Sequence, residues 1–521
     1  VAVVPVGPPP GPWLAALLLP NLLLLAVAYV ALRALGVAAP RAAATLAALL
    51  AAYAALAASG RTEALSLAYQ ATERPLGAAV TLLWVAATPL LARLPEAHWR
   101  WRPPLRHAPA THASAAPAAA ARQPADIAPA DQSATHAGAL RPGLIAALTL
   151  FVTLRVALSL FALLASLWFP LRGPCAGAEP APTLHAAGLD FRLLGVWQRW
   201  DGCWYEKIAA LGYRPGDPSI NFFPLLPALM RATGVVLADN LTLAGLIVSC
   251  VAYVAAMAGL YALVREDFGA AVARRTLLYL SVFPTAFFLF APFSEALFLA
   301  LAVWALLLAR RGAWAWTAPL ALLLGLTRAQ GALLAAPLAW EAAQQWRAAA
   351  PAARRTCRRW ALAALTPLLP VAGLVAFLAY GKVFVGRTAL QTQEALWGNA
   401  FRAPWVVLAA SWQYVRAHAD AVEALNLAFV VAFAALLTVG LRRLPRLYVL
   451  YAAPQLLLVA VHENSGQPLL SALRYLLVLF PVFTLLALAG RRRRLHYAWL
   501  IVSLLLLAFL LYTFLSGPLV A

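Results

Sequence analysis

Apolar runs close to the ~20-residue length that crosses a hydrocarbon core recur along this chain. They begin at Trp13 and continue to Leu515, separated by short clusters rich in Arg and Pro. A chain patterned this way must satisfy its backbone hydrogen bonds inside each run, which favours helices over any open sheet. Composition agrees: 64% of residues are hydrophobic and 11% charged, against about 25% charged in a soluble domain. The expected fold class is an all-α polytopic membrane protein.

Three spans are expected near 13–35, 42–59 and 76–94, forming an N-terminal membrane unit over residues 1–95. The run at 13–30 is too long for a signal-peptide core and lacks a small-residue cleavage site, so it reads as a first span. An Ala- and Pro-rich linker follows over 96–142, with a composition that cannot bury a core and is expected to be disordered. Its scattered His107, His112 and His136 fit no compact metal-ligand set. A second unit, 143–521, is expected to hold eleven spans. These lie near 143–169, 241–264, 276–291, 293–309, 313–326, 328–343, 360–380, 424–441, 447–461, 475–490 and 497–515.

The net charge of +21 suggests nucleic acid at first sight, but its distribution argues for topology. Alternating the fourteen spans puts 25 of the 40 basic residues on one face with six acids, and 14 on the other with 13 acids. Excess Arg in short loops marks the cytoplasmic side. Attraction to anionic lipid is secondary. The expected location is the cell membrane, with the unusual polar residues facing the exterior. Three exterior segments stand out: 171–240, 381–423, which is rich in Trp and Gln, and 462–474. Cys175 and Cys203 share the first of them, where a disulfide is chemically permitted; the sequence leaves that pairing open.

The 171–240 segment contains Trp200-Asp201-Gly202-Cys203-Trp204-Tyr205, then Gly212-Tyr213 and Phe222-Phe223-Pro224-Leu225-Leu226-Pro227. Asp201 sits among aromatics, and a partly desolvated carboxylate gains base strength; the plain alternative is a solvated acid or a helix N-cap. The stretch 204–211 reads as a short amphipathic helix at the interface, with Trp204 and Tyr205 at headgroup level and Gly212 as its left-handed cap. Lys207 lies a turn or two beyond Asp201. Other candidates are Glu295 in Phe293-Ser294-Glu295, Arg328 in Leu326-Thr327-Arg328, His462 opening a polar turn, and the pair Arg474-Tyr475. Fixed cations would stabilise charge developing on a phosphate leaving group. The competing reading is snorkelling for the basic residues and an N-cap for Glu295. No metal-ligand spacing, Walker loop or dinucleotide fingerprint is present, so no cofactor and no obligatory metal are expected.

Taken together, these motifs resemble the PIG-V family of membrane mannosyltransferases, within the GT-C superfamily of polyprenyl-phosphate-sugar-dependent glycosyltransferases. The resemblance runs from about residue 144 to 514. It is carried by Trp200-Asp201, Gly212-Tyr213, Phe222-Phe223-Pro224 through Pro227, Phe283-Pro284 with Ser294-Glu295, Leu326-Thr327-Arg328, and Arg474-Tyr475 with Phe480-Pro481. It implies a GT-C fold with the active site at the exterior membrane boundary. Its implied donor is a polyprenyl-phosphate sugar, with a lipid, glycan or protein acceptor. Asp201 would then be the general base of an inverting displacement, with Trp200 positioning it or packing against the sugar. The Ala-, Arg- and Leu-rich chain looks like a bacterial relative, which leaves acceptor and sugar open. Two other readings are a flippase for a lipid-linked sugar and a polysaccharide ligase or polymerase using Arg387, Arg402 and His418.

Overall fold

The computed structural model describes residues 132–168, 192–351 and 357–516. The three N-terminal spans, the linker up to residue 131 and Cys175 lie outside the described residues. The described residues are about 81% helical. Among the described residues, five helices are long and apolar enough to cross a membrane: Leu140–Ser166, Leu241–Ser281, Cys357–Val385, Ala421–Gly440 and Arg493–Ser516. Shorter apolar helices at Trp314–Gly325, Arg446–Val461 and Phe480–Ala489 fall on expected spans.

Differences from the expected spans have local causes. The first described helix, Gln132–Trp168, starts inside the segment expected as disordered linker, and Pro142 sits within it. Residues 241–281 are two helices joined across a kink, as the expected spans 241–264 and 276–291 require, but a single non-helical residue stands where a loop was expected. The bend is at Gly269, where φ is 82°, a conformation open to glycine at little cost. Just before the bend, Asp267 pairs with Arg310 and Glu266 with Arg311, each at 2.7 Å. The expected span 276–291 is helical only to Ser281 and then continues as a 3-10 turn over Ala286–Leu289. Pro284 in the intervening break has no N–H to extend the ladder.

The bent Leu241–Ser281 helix is the hub of the bundle. It packs against Gln132–Trp168, Leu225–Gly234, Glu295–Arg310 and Phe480–Ala489. Its far end leads to Phe283, whose ring meets Phe429, Phe433 and Phe483 edge-on or tilted at 5.2 to 5.7 Å. Elsewhere small residues allow backbones to touch. Gly325 faces Gly373, and a Cβ built on Gly325 would lie 2.1 Å from the Pro370 carbonyl oxygen. Such close approach is typical of apolar helix pairs that rely on packing alone.

The segment expected as a long first loop holds two short helices, Asp201–Leu211 and Leu225–Gly234. Two three-residue strands, Asn399–Phe401 and His462–Asn464, pair antiparallel with Asn399 opposite Asn464. These pieces gather where the chain brings Glu295, Arg328 and Arg474 together.

Candidate active site

Asp201 is the first residue of the Asp201–Leu211 helix, a position where the helix dipole favours a carboxylate. The turn before it is tight. Trp200 has φ 48° and ψ −118°, a conformation that costs an L residue about 1–3 kcal/mol and persists where packing dictates it. Gly202 supplies the reason for the close fit: a Cβ there would lie 3.2 Å from Pro292 Cγ and 3.6 Å from the Phe293 ring. The Tyr205 hydroxyl donates to Ser294 Oγ at 3.2 Å. The helix is thus drawn onto the Pro292–Ser294 corner, whose next residue is Glu295.

Glu295 opens the Glu295–Arg310 helix and is fully buried. Arg328 reaches it from an extended residue after the Trp314–Gly325 helix, with Nη1 donating to Oε1 at 2.5 Å. Arg474, in the short Ala472–Leu476 helix, donates Nε–H to the same oxygen. Its Nη1 donates to Asp201 Oδ2 at 2.5 Å. Two carboxylates and two guanidinium groups therefore form a chain of zero net charge. Aromatic faces surround it: Arg474 lies 4.7 Å from the Phe293 ring centroid, and Arg328 lies 5.1 Å from that of Tyr475. Such faces attract a cation and exclude water. Glu295 Oε2 is buried without a hydrogen-bond partner.

A half-open cavity of about 170 Å³ adjoins this chain. Asp201, Arg474 and Tyr475 line it, and Trp200, Trp204 and Phe222 give it aromatic walls. Trp204 stacks on Phe222 at 5.5 Å between centroids, with the planes 11° apart. Asn221, Gln393, Asn399, His462 and Asn464 also line it and supply neutral hydrogen-bonding groups. Asn464 is already engaged: its Nδ2 donates to Asn399 Oδ1 at 2.9 Å, and its Oδ1 accepts from Gly466 N–H at 2.9 Å. Burial pushes the His462 imidazole below its ordinary value, so it is neutral at neutral pH and can both donate and accept. Amides and indole faces together suit a polyhydroxylated ligand, whose hydroxyls need both donors and acceptors and whose C–H faces stack on rings.

Of the residues singled out from sequence, Trp200, Asp201, Trp204, His462, Arg474 and Tyr475 line this cavity. Tyr205, Glu295 and Arg328 lie behind it, buried. Lys207 points elsewhere: it pairs with Asp217 at 2.7 Å and lies over the Trp204 ring. Glu295 is not an N-cap, since Ser294 holds that position and makes no capping bond. The 201–211 helix begins three residues earlier than expected and buries Glu206, so it is not simply amphipathic. Gly212 ends it with φ 70° but an extended ψ of −174°. Arg387, Arg402 and His418 do not line the cavity; Arg402 pairs with Glu463. Cys203 is disulfide-bonded, and Cys250 is a free thiol. Among the described residues, no three His, Cys, Asp or Glu side chains gather into a metal-ligating group.

Sequence reasoning missed Asn221, Gln393 and Asn399. Neutral amides carry no periodic or charge signal, and the Gln-rich character of 381–423 was the one available pointer. No known family model, curated protein or solved structure matches the chain.

Proposed function

We propose that this chain is a membrane glycosyltransferase of the GT-C type. It moves a sugar, mannose by the resemblance of its motifs, from a polyprenyl-phosphate donor to an acceptor hydroxyl. The asymmetry of basic residues supports a site on the exterior face of the cell membrane. One observation carries the reading. Asp201 lines a cavity with an arginine on one oxygen, and neutral amides and indole rings line the same cavity.

In this mechanism Asp201 Oδ2 stays with Arg474, and Oδ1 faces the acceptor. The acceptor oxygen attacks the anomeric carbon while its proton passes to Asp201. The bond from that carbon to the phosphate oxygen breaks on the opposite side, so configuration inverts. Negative charge grows on the departing phosphate, and a fixed guanidinium stabilises it in a low-dielectric setting. Arg474 is placed for that contact because it lines the cavity. Arg328 acts at one remove, by holding Glu295. The neutral groups of Gln393, Asn399 and His462 would meet the sugar hydroxyls, and Trp200 and Trp204 its apolar face.

The test is a transfer assay with purified protein in nanodiscs, using labelled polyprenyl-phosphate sugars and extracted lipids and glycans as acceptors. A new glycosidic product that depends on the protein is expected. Label that crosses the bilayer with no bond made would instead support the flippase reading.

A further inference from the structure

The peptide segment that carries Arg474 is gripped from both sides by side chains far away in sequence. Leu473 immediately precedes Arg474. Its N–H donates to Asn426 Oδ1 at 3.1 Å, and its carbonyl accepts from Thr285 Oγ1 at 3.0 Å. Asn426 and Thr285 are both fully buried. Four residues earlier, Leu469 N–H donates to Glu423 Oε1 at 2.9 Å. Glu423 is held in turn by Ser411, whose hydroxyl donates to the same oxygen at 2.5 Å. Glu423 and Asn426 are three apart in the Ala421–Gly440 helix and so share a face.

Between these two anchors Ser471 adopts φ 68° and ψ 6°, a left-handed conformation. A non-glycine residue holds such a state only where its surroundings over-determine it. The short helix that follows has only five residues, too few to fix a side chain by its own hydrogen bonds. Arg474 must nevertheless meet Asp201 and Glu295 at once, on two different elements. Its aim is therefore set by what holds Leu473.

We propose that Asn426 and Thr285 are positioning residues that fix the Leu473 peptide and thereby aim Arg474 at Asp201 and Glu295. Glu423 supports them by anchoring the start of the same turn. The catalytic consequence rests on the transferase reading, whereas the positioning itself does not.

The test uses the full chain in nanodiscs, with phenylglyoxal as an arginine-selective probe read by mass spectrometry. At nearly constant volume, Thr285→Val removes its one hydrogen bond to Leu473, Asn426→Leu removes the bond to Leu473 and a longer one to Glu423, and Thr285→Ser restores the hydroxyl. In wild type, Arg474 should label slowly. In Thr285→Val and Asn426→Leu it should label about tenfold faster, the order expected for loss of one buried hydrogen bond. Thr285→Ser should return it to within about twofold of wild type, the residue being a small share of that same bond energy. Arg310, partly buried and paired with Asp267 at 2.7 Å, should label equally slowly in all four proteins, which separates local release from general unfolding. If Asn426→Leu does not fold, the milder Thr285→Val decides. Unchanged labelling of Arg474 in folded Thr285→Val overturns the proposal. In transfer assays the same variants should lose kcat about tenfold with KM nearly unchanged, as expected for a group needed in the transition state. Faster labelling in the variants, with no transfer by wild type, would overturn the transferase reading and leave the positioning intact. Transfer by wild type with unaltered labelling would do the reverse.

Discussion

Arg474 and Asp201 form an ion pair with one dry end and one wet end: the arginine side chain is 5% exposed and the aspartate 30%. The buried partner is tied further in, to Glu295, which is shared with Arg328. Asp201 is the most exposed of these four charges, and with Arg474 it lines the cavity. An acid so placed can exchange a proton with a ligand while its orientation is set by a cation that cannot swing away.

That arrangement makes Glu295 the keystone of the buried charges. Glu295→Gln keeps the shape but leaves Arg328 and Arg474 with one negative partner between them. Removing one member of a buried ion pair costs about 3–5 kcal/mol. Unfolding in detergent should show a loss of that order. A loss under about 1 kcal/mol, the range of exposed pairs, would mean that water reaches the cluster.

Acid sensitivity should arise at Asp217. Burial raises its carboxyl, but hydrogen bonds from Lys207 and from Ser219 outweigh that and hold it below its ordinary value. The folded form thus binds its proton less readily than the unfolded chain. Its contribution is present above the ordinary carboxylate range and is lost as pH falls through the folded value, from about pH 5 downward. Lys207→Met should flatten the fall in melting temperature over that range. An unaltered pH profile in this variant would contradict the assignment.

Helix contact at glycine gives a third expectation. In Gly325→Ala the new methyl would lie 2.1 Å from Pro370 O and 2.8 Å from Leu374 N. Both are backbone atoms, so relief requires separating two helices, and overpacking of this kind costs about 1–3 kcal/mol or more. Thermal unfolding should register it. A neutral effect would mean that the two helices are not held at this spacing.

The parts of the fold that follow from hydropathy were legible in the sequence. Ala421–Gly440, Arg446–Val461 and Trp314–Gly325 lie within a few residues of their expected spans, because apolar runs bounded by Arg or Pro mark their own ends. The bend at Gly269 was not legible, since charged residues around 265–275 read equally as a loop or as a paired helical turn. Asp201, Glu295, Arg328 and Arg474 each stood out as charges beside apolar runs. Their connection did not: Asp201 and Arg474 are 273 positions apart, and no local pattern encodes such a pairing. The Asn426–Leu473 clamp was invisible for the same reason, because a buried amide inside an apolar helix has no periodic signature.

The most direct test is turnover by Asp201→Asn beside wild type, with donor binding measured on the same preparations. Asparagine keeps the size of the side chain and can still accept a hydrogen bond from Arg474, but it cannot take a proton from an acceptor hydroxyl. Donor affinity should stay close to wild type while turnover falls by about 10²–10⁴, the usual share of general base catalysis. Normal turnover by Asp201→Asn would contradict Asp201 as the base.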